Sequence, residues 1–193
     1  MSRRGLDKEQ VVEAAATLAD EVGYDALSLS TLADTLGIRS PSLYKHVDGL
    51  PALKRELALL GGRRLTDALR RAAVGKAGTD EVLAVLRTYR AFLREHPGLG
   101  RALEQAPAAD DKELQTVAGE ILDLCVAVLQ NHVANRTEAL HAIRAVRSMV
   151  HGFCRLETAG GFGLRLSLDE SFDRMIAAYL RGLASAPPGR PGK

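Results

Sequence analysis

No run of this sequence approaches the apolar length that a membrane-crossing helix requires. The N-terminus, Met-Ser-Arg-Arg-Gly, leads straight into charged residues and has no apolar signal core, so the chain is expected in the cytoplasm with no membrane partner. Cysteine is scarce. Cys125 and Cys154 are the only two, and each falls within an apolar helical pattern, which predicts reduced, buried thiols and not a disulfide framework. Catalytic and metal signatures are missing too. His46, His96, His132, His141 and His151 share no metal-ligand spacing with either cysteine, no glycine loop is built for phosphate, and no paired carboxylates interrupt an apolar stretch. The expectation is therefore no enzyme, no metal and no cofactor, with His151 read as a packed, hydrogen-bonded histidine.

Excess charge is also lacking. The 193 residues carry a net charge of only +2, and residues 1–64 hold nine Lys or Arg against nine Asp or Glu, so bulk charge does not predict nucleic-acid binding. Placement says more: the bases cluster in the N-terminal arm, around residues 39–45 and in the helix that follows, while most acids lie earlier. An uneven distribution makes a local positive face even at low net charge.

What is present begins with residues 30–47. Ser30 is a candidate N-cap, Thr31 to Leu36 fit a short helix, and Gly37 stands where the chain reverses through a left-handed conformation. Ser40 is a candidate cap for a second helix, and Pro41 suits its first position, where a missing N–H costs nothing. Leu32, Leu36, Ile38 and Leu43 are spaced to face one another across the turn. Arg39, Ser42, Tyr44, Lys45 and His46 remain on the outer side of the second helix, Pro41 to His46. Two short helices with an internal core and a donor-rich outer face form a helix-turn-helix, whose second helix enters the major groove of DNA.

The segment Gly37-Ile38-Arg39-Ser40-Pro41-Ser42-Leu43-Tyr44-Lys45-His46-Val47 resembles the recognition region of the tetracycline-repressor (TetR) family of bacterial one-component regulators. The resemblance implies that Tyr44 and Lys45 hold the DNA backbone and that Arg39, Ser40, Pro41, Ser42 and His46 lie against bases or phosphates. Two departures stand out: Val47 replaces a common Phe, and Leu50 replaces a Lys that would contact a phosphate. Lys54 or Arg55, one turn later, are the candidates to replace that contact. Arg3 and Arg4 belong to an arm that reads equally as a disordered tail or as a segment reaching an adjacent groove.

Along the chain, Asp7 and Gln10 form a capping box, and Val11, Ala15, Leu18 and Val22 mark the apolar face of a first helix that closes the head as a third wall. A long helix follows Pro51 and resembles the family's connector. Its Gly61-Gly62 pair costs about 2 kcal/mol against alanine, which is consistent with a kink or with close packing on another backbone. From residue 75 onward the pattern is helical throughout, without strand alternation or repeats. Thr79, Asp111, Thr137 and Asp169 mark further helix starts, and Pro97 to Leu103 makes a short one. The fold class is thus all-α with about nine helices: a three-helix head over 1–50, a helical regulatory and dimerisation domain over 51–184, and a disordered tail over 185–193.

The stretch Val150-His151-Gly152-Phe153, continuing through Leu156 to Gly163 and on to Phe172 and Gly182-Leu183, resembles the regulatory domain of a TetR subgroup named for a Trp-His-Gly signature, with Val150 in place of the Trp. Together with the broad apolar stripes of the last two long helices, this predicts a homodimer joined through Val146, Val150, Phe172, Ile176, Tyr179, Leu180 and Leu183. Two-fold symmetry then predicts a palindromic operator. Tyr89, Phe92, Leu122, Cys125, Leu129, Met149 and Phe153 lie on faces wider than a three-helix core requires. They are candidates to line a site for a small, largely apolar effector that releases a repressor from DNA, although each taken singly also fits plain core. Two other readings remain open: a dimeric DNA-binding protein without a small-molecule effector, and a protein-responsive adaptor.

Overall fold

The computed structural model describes residues 6–185, so Arg3, Arg4 and all of the expected tail except Ser185 lie outside the described residues. Among the described residues there are nine α-helices and no strand: α1 Lys8–Val22, α2 Leu29–Leu36, α3 Ser40–Leu43, α4 Gly49–Ala73, α5 Gly78–Glu95, α6 Pro97–Ala102, α7 Lys112–Leu129, α8 Arg136–Thr158 and α9 Leu168–Ser185. Two 3-10 turns, Tyr24–Ala26 and Gln130–His132, complete the order. Among these residues no single helix is long and apolar enough to cross a membrane.

The helix ends have local causes. The Asp7 carboxylate accepts from Gln10 N at 2.8 Å while the Gln10 side chain accepts from Asp7 N at 3.0 Å, the expected capping box. Helix α2 starts earlier than the sequence suggests. Ser28, not Ser30, occupies its cap: its backbone is still extended, at φ −136° and ψ 154°, and its hydroxyl accepts from Thr31 N at 3.1 Å, so helical geometry begins at Leu29. Asn135, not Thr137, caps α8 through Glu138 N at 3.0 Å, and the Ser167 hydroxyl, not Asp169, accepts from Glu170 N at 3.2 Å.

The chain divides into two compact units. The first comprises Met1–Arg64 with Glu95–Ala118, and the second Leu65–Arg94 with Gly119–Lys193. The glycines of α4 show how its first part fits within the first unit. Helix α4 runs through Gly61 and Gly62 without a break, and the neighbours of the two glycines support the close-packing alternative. A Cβ on Gly61 would stand 3.2 Å from the Leu99 Cβ, and one on Gly62 would collide with Val117 Cγ1. Glycine lets the first half of α4 lie against α6 and the start of α7, with Leu53, Leu57 and Leu99 fully buried.

Within the first unit α1 packs on α2 and α6, and α2 on α3. Gly98 makes the α1–α6 approach feasible: a side chain there would meet the Ala19 backbone at 2.7 Å, and the Gly98 N–H donates to Asp20 Oδ1 at 2.7 Å. Within the second unit the buried set includes Val82, Phe92, Val128, Val150, Phe172 and Ile176. These side chains come from α5, α7, α8 and α9.

Candidate functional site

The turn between α2 and α3 is built as the residue types demand. Gly37 adopts φ 64°, and the Ile38 N–H bonds back to Ala33 O at 3.0 Å, which closes the end of α2. Helix α3 is shorter than expected. It covers Ser40–Leu43 with Arg39 in the cap position and no side-chain cap bond, and Tyr44 to His46 continue as a hydrogen-bonded turn in which the His46 N–H reaches Leu43 O at 2.8 Å. Leu32, Leu43 and Val47 are buried and hold the motif from inside. On the outer side Arg39, Pro41, Tyr44 and Lys45 are exposed, Tyr44 at 59%, and Ser40, Ser42 and His46 are half-buried. The seven described candidates of the recognition segment thus lie along one run of backbone, with the donors of Arg39, Tyr44 and Lys45 exposed and those of Ser40, Ser42 and His46 partly covered.

The basic residues of α4 are used differently. Arg55 donates to Asp111 at 2.5 and 2.8 Å and to Glu113 at 3.0 Å, and these bonds hold both carboxyls below their ordinary range. Arg63 pairs with Glu113 at 2.7 Å and Arg64 with Glu13 at 2.5 Å. Lys54 has its ammonium 4.6 Å from the centroid of the Tyr24 ring. Arg55 thus acts as a clamp between α4 and the start of α7, and Lys54 is engaged by an aromatic face. Neither partnership is legible without the tertiary structure, because the partners are separated by 56 and 30 positions respectively.

All seven candidates for effector contact fall in the second unit. Phe92, Leu129 and Phe153 are buried, whereas Tyr89, Leu122, Cys125 and Met149 are half-buried. Tyr89 Oη and His151 Nε2 are 2.6 Å apart, with their rings edge-on at 5.6 Å. Burial pushes the Tyr89 hydroxyl up to about 12 and the Cys125 thiol up to about 11, so both stay protonated at neutral pH. The Cys154 thiol is likewise raised to about 11, chiefly by burial.

Phe153 belongs to a cluster that sequence reasoning missed. Its ring lies 5.3 Å from Phe172 and 4.8 Å from Phe162, and the Arg90 guanidinium sits 5.0 Å from it. A signal was present: Arg90 continues the spacing of Val82 and Leu86, and a charge within an apolar stripe calls for a buried partner.

The expected dimer residues need correction. Val146, Val150, Phe172, Ile176 and Leu180 are buried within the single chain, so they pack its own core and offer no surface to a second copy. Their stripes are broad because α8 and α9 pack inward within the chain, and only Tyr179 and Leu183 stay partly exposed.

Comparison with known proteins agrees with this geometry. Residues 11–47 match the bacterial regulatory proteins of the tetR family, and residues 82–179 match the tetracyclin repressor-like, C-terminal domain. The HTH-type transcriptional regulator YobS of Bacillus subtilis (strain 168) is 34% identical over 182 residues, covering 94% of each chain. A protein of unknown function from Rhodococcus sp. RHA1 shares the fold with a TM-score of 0.77 at 24% identity, covering 95% of this chain and 98% of that one. A TetR variant from Acinetobacter baumannii AYE, solved in complex with minocycline, shares it with a TM-score of 0.67 at 22% identity, covering 92% and 96%. With a helix-turn-helix whose Arg39, Tyr44 and Lys45 are exposed and family matches over both halves, the chain belongs to the tetR family of bacterial regulatory proteins and is a DNA-binding transcriptional regulator.

Proposed function

We propose that the protein is a homodimeric repressor that binds a palindromic operator through residues 39–46 and is released by a small, largely apolar effector taken up in the second unit. The observation that carries the DNA half is the outer face of the motif, where Arg39, Tyr44 and Lys45 are exposed over the buried Leu32 and Leu43. Tyr44 and Lys45 hold phosphates, and Arg39 and Ser42 meet base edges. Support for the effector comes from Tyr89, Leu122, Cys125 and Met149, all half-buried in the second unit, with Tyr89 bonded to His151 as a polar group among apolar ones. The minocycline-bound fold neighbour is a further support.

The dimer forms through the outward sides of α8 and α9. Gly152 and Gly182 are exposed there with open space around them, and Tyr179 and Leu183 are half-buried, which suits close approach by a symmetry mate. Selection from a random DNA pool tests the reading. An inverted repeat with half-sites about one helical turn apart is expected, and a pool enriched for no inverted repeat overturns it. The second reading, an effector-free DNA-binding dimer, is favoured instead if a metabolite and drug screen finds ligands that stabilise the protein and leave operator affinity unchanged.

A further inference from the structure

Tyr89, Arg147 and His151 converge within the second unit. Arg147 and His151 are one turn apart on α8 and so share a face, while Tyr89 approaches from α5. The Tyr89 hydroxyl lies 2.6 Å from His151 Nε2, and against the larger upward effect of burial the Arg147 guanidinium is near enough to pull the hydroxyl pKa down. Arg147 is exposed, Tyr89 and His151 are half-buried, and Phe92 is buried three residues beyond Tyr89. The three polar groups thus run from solvent toward the interior.

Their donor and acceptor inventory is lopsided. A guanidinium only donates, so Arg147 brings only N–H groups toward the Tyr89 oxygen. The hydroxyl hydrogen then turns to Nε2, which accepts and leaves the imidazole proton on Nδ1. A ligand that draws the Tyr89 O–H away from His151 must resatisfy it, because an abandoned buried donor is costly, and beside the exposed Arg147 it gains most if it can accept from the guanidinium as well. An amine brings only donors. An alcohol brings one oxygen that is itself a donor, and an amide carbonyl brings one neutral acceptor. A carboxylate brings two oxygens with about four lone-pair sites, and it matches the guanidinium fork with charge-assisted bonds.

We propose that the effector is an apolar carboxylic acid bound as its carboxylate, with the two oxygens held by Tyr89 and Arg147, the His151 ring proton moving from Nδ1 to Nε2 so that Nε2–H donates into the site once the Tyr89 O–H has turned to the ligand, and the apolar body lying along Phe92, Leu122 and Met149. This rests on the effector reading above and narrows it to one chemical class. The exposed guanidinium offers the point of first contact for the anion, and the half-buried Tyr89 selects acids whose apolar part is drawn inward. The Tyr89 hydroxyl keeps its proton at neutral pH and remains a donor to the bound oxygen.

The test uses the full chain and three matched sets of probes: octanoate, benzoate and indole-3-acetate, each with its primary amide and its alcohol. Thermal shift and calorimetry measure binding, with the unliganded melting temperature of each variant as its own baseline, and release from the selected operator is followed in parallel. At least one acid is expected to bind while its amide and alcohol bind at least tenfold more weakly. Tyr89→Phe and Arg147→Gln are each expected to weaken that acid about tenfold, with Arg147→Lys recovering part of the loss. Equal binding of acid and amide, undiminished binding by the Tyr89→Phe, Arg147→Gln double variant, or no binding by any acid at millimolar concentration overturns the proposal. The effector reading fails separately. If acids bind through these residues but leave operator affinity unchanged, the carboxylate site stands and the effector role falls. If only neutral compounds bind and release DNA, the effector role stands and the carboxylate class falls.

Discussion

Arg90 and Glu157 form a bidentate ion pair inside the second unit, with Nε to Oε2 at 2.9 Å and Nη2 to Oε1 at 2.8 Å. The Arg90 side chain is only 6% exposed. Its guanidinium lies 5.0 and 5.1 Å from the rings of Phe153 and Phe172, and its remaining nitrogen donates to Asp169 at 2.8 Å. One side chain of α5 thereby ties together α8 and α9. Asp169 still faces Arg90 when Glu157 is replaced, and Arg94 still stands 3.6 Å from Glu157 when Arg90 is replaced. Glu157→Gln or Arg90→Met alone is therefore expected to cost about 1–3 kcal/mol, less than the loss of an unshared buried pair. The double variant Arg90→Met, Glu157→Leu is expected to recover most of that. Urea unfolding of the three proteins measures the coupling, and a double variant as unstable as the sum of the singles rejects it.

The α4 glycines predict an asymmetric pair of substitutions. Gly62→Ala places a methyl onto Val117 and is expected to destabilise by about 1–3 kcal/mol through overpacking. Gly61→Ala meets Leu99 at 3.2 Å, where a small adjustment suffices and the helix-propensity gain of about 1 kcal/mol offsets the contact. Equal effects of the two in thermal unfolding contradict this packing.

Acid should loosen the clamp between α4 and the start of α7. Hydrogen bonds from Arg55 are the largest cause of the depressed Asp111 and Glu113 carboxyls, so their native-state affinity for protons is lower than in the unfolded chain. Their stabilisation is complete above the ordinary carboxylate range, about pH 4, and disappears as pH falls through the lower folded values. Arg55→Met is expected to flatten the acid limb of stability between about pH 5 and 3. Urea midpoints across that window, compared with the unmodified protein, test it.

Lys45→Ala should weaken every DNA sequence alike and reduce the slope of log affinity against log salt by about one, as loss of a single phosphate contact does. Arg39→Ala or Ser42→Ala should instead change the ranking of sequences in a selected pool. A Lys45 variant that alters ranking and leaves the salt slope unchanged reverses these roles.

The residues by themselves determined the all-α class, the helix-turn-helix and most helix boundaries, because those depend on signals local in sequence. The Asp7 capping box, Gly37 at a left-handed turn and Pro41 at a helix start act over three or four residues, and such rules read directly from order. The exposure of Arg39, Tyr44 and Lys45 was legible for the same reason. Several choices needed the tertiary structure. Gly61-Gly62 suited a kink or a close approach equally well, and only Leu99 and Val117, brought back from 38 and 55 residues downstream, decided for packing. Arg55 was a plausible phosphate ligand until Asp111 arrived beside it. The broad stripes of α8 and α9 revealed how much surface must be covered and not by what. The chain's own core covers Val150, Phe172 and Ile176, because burial is non-directional and any apolar neighbour, own or foreign, satisfies it.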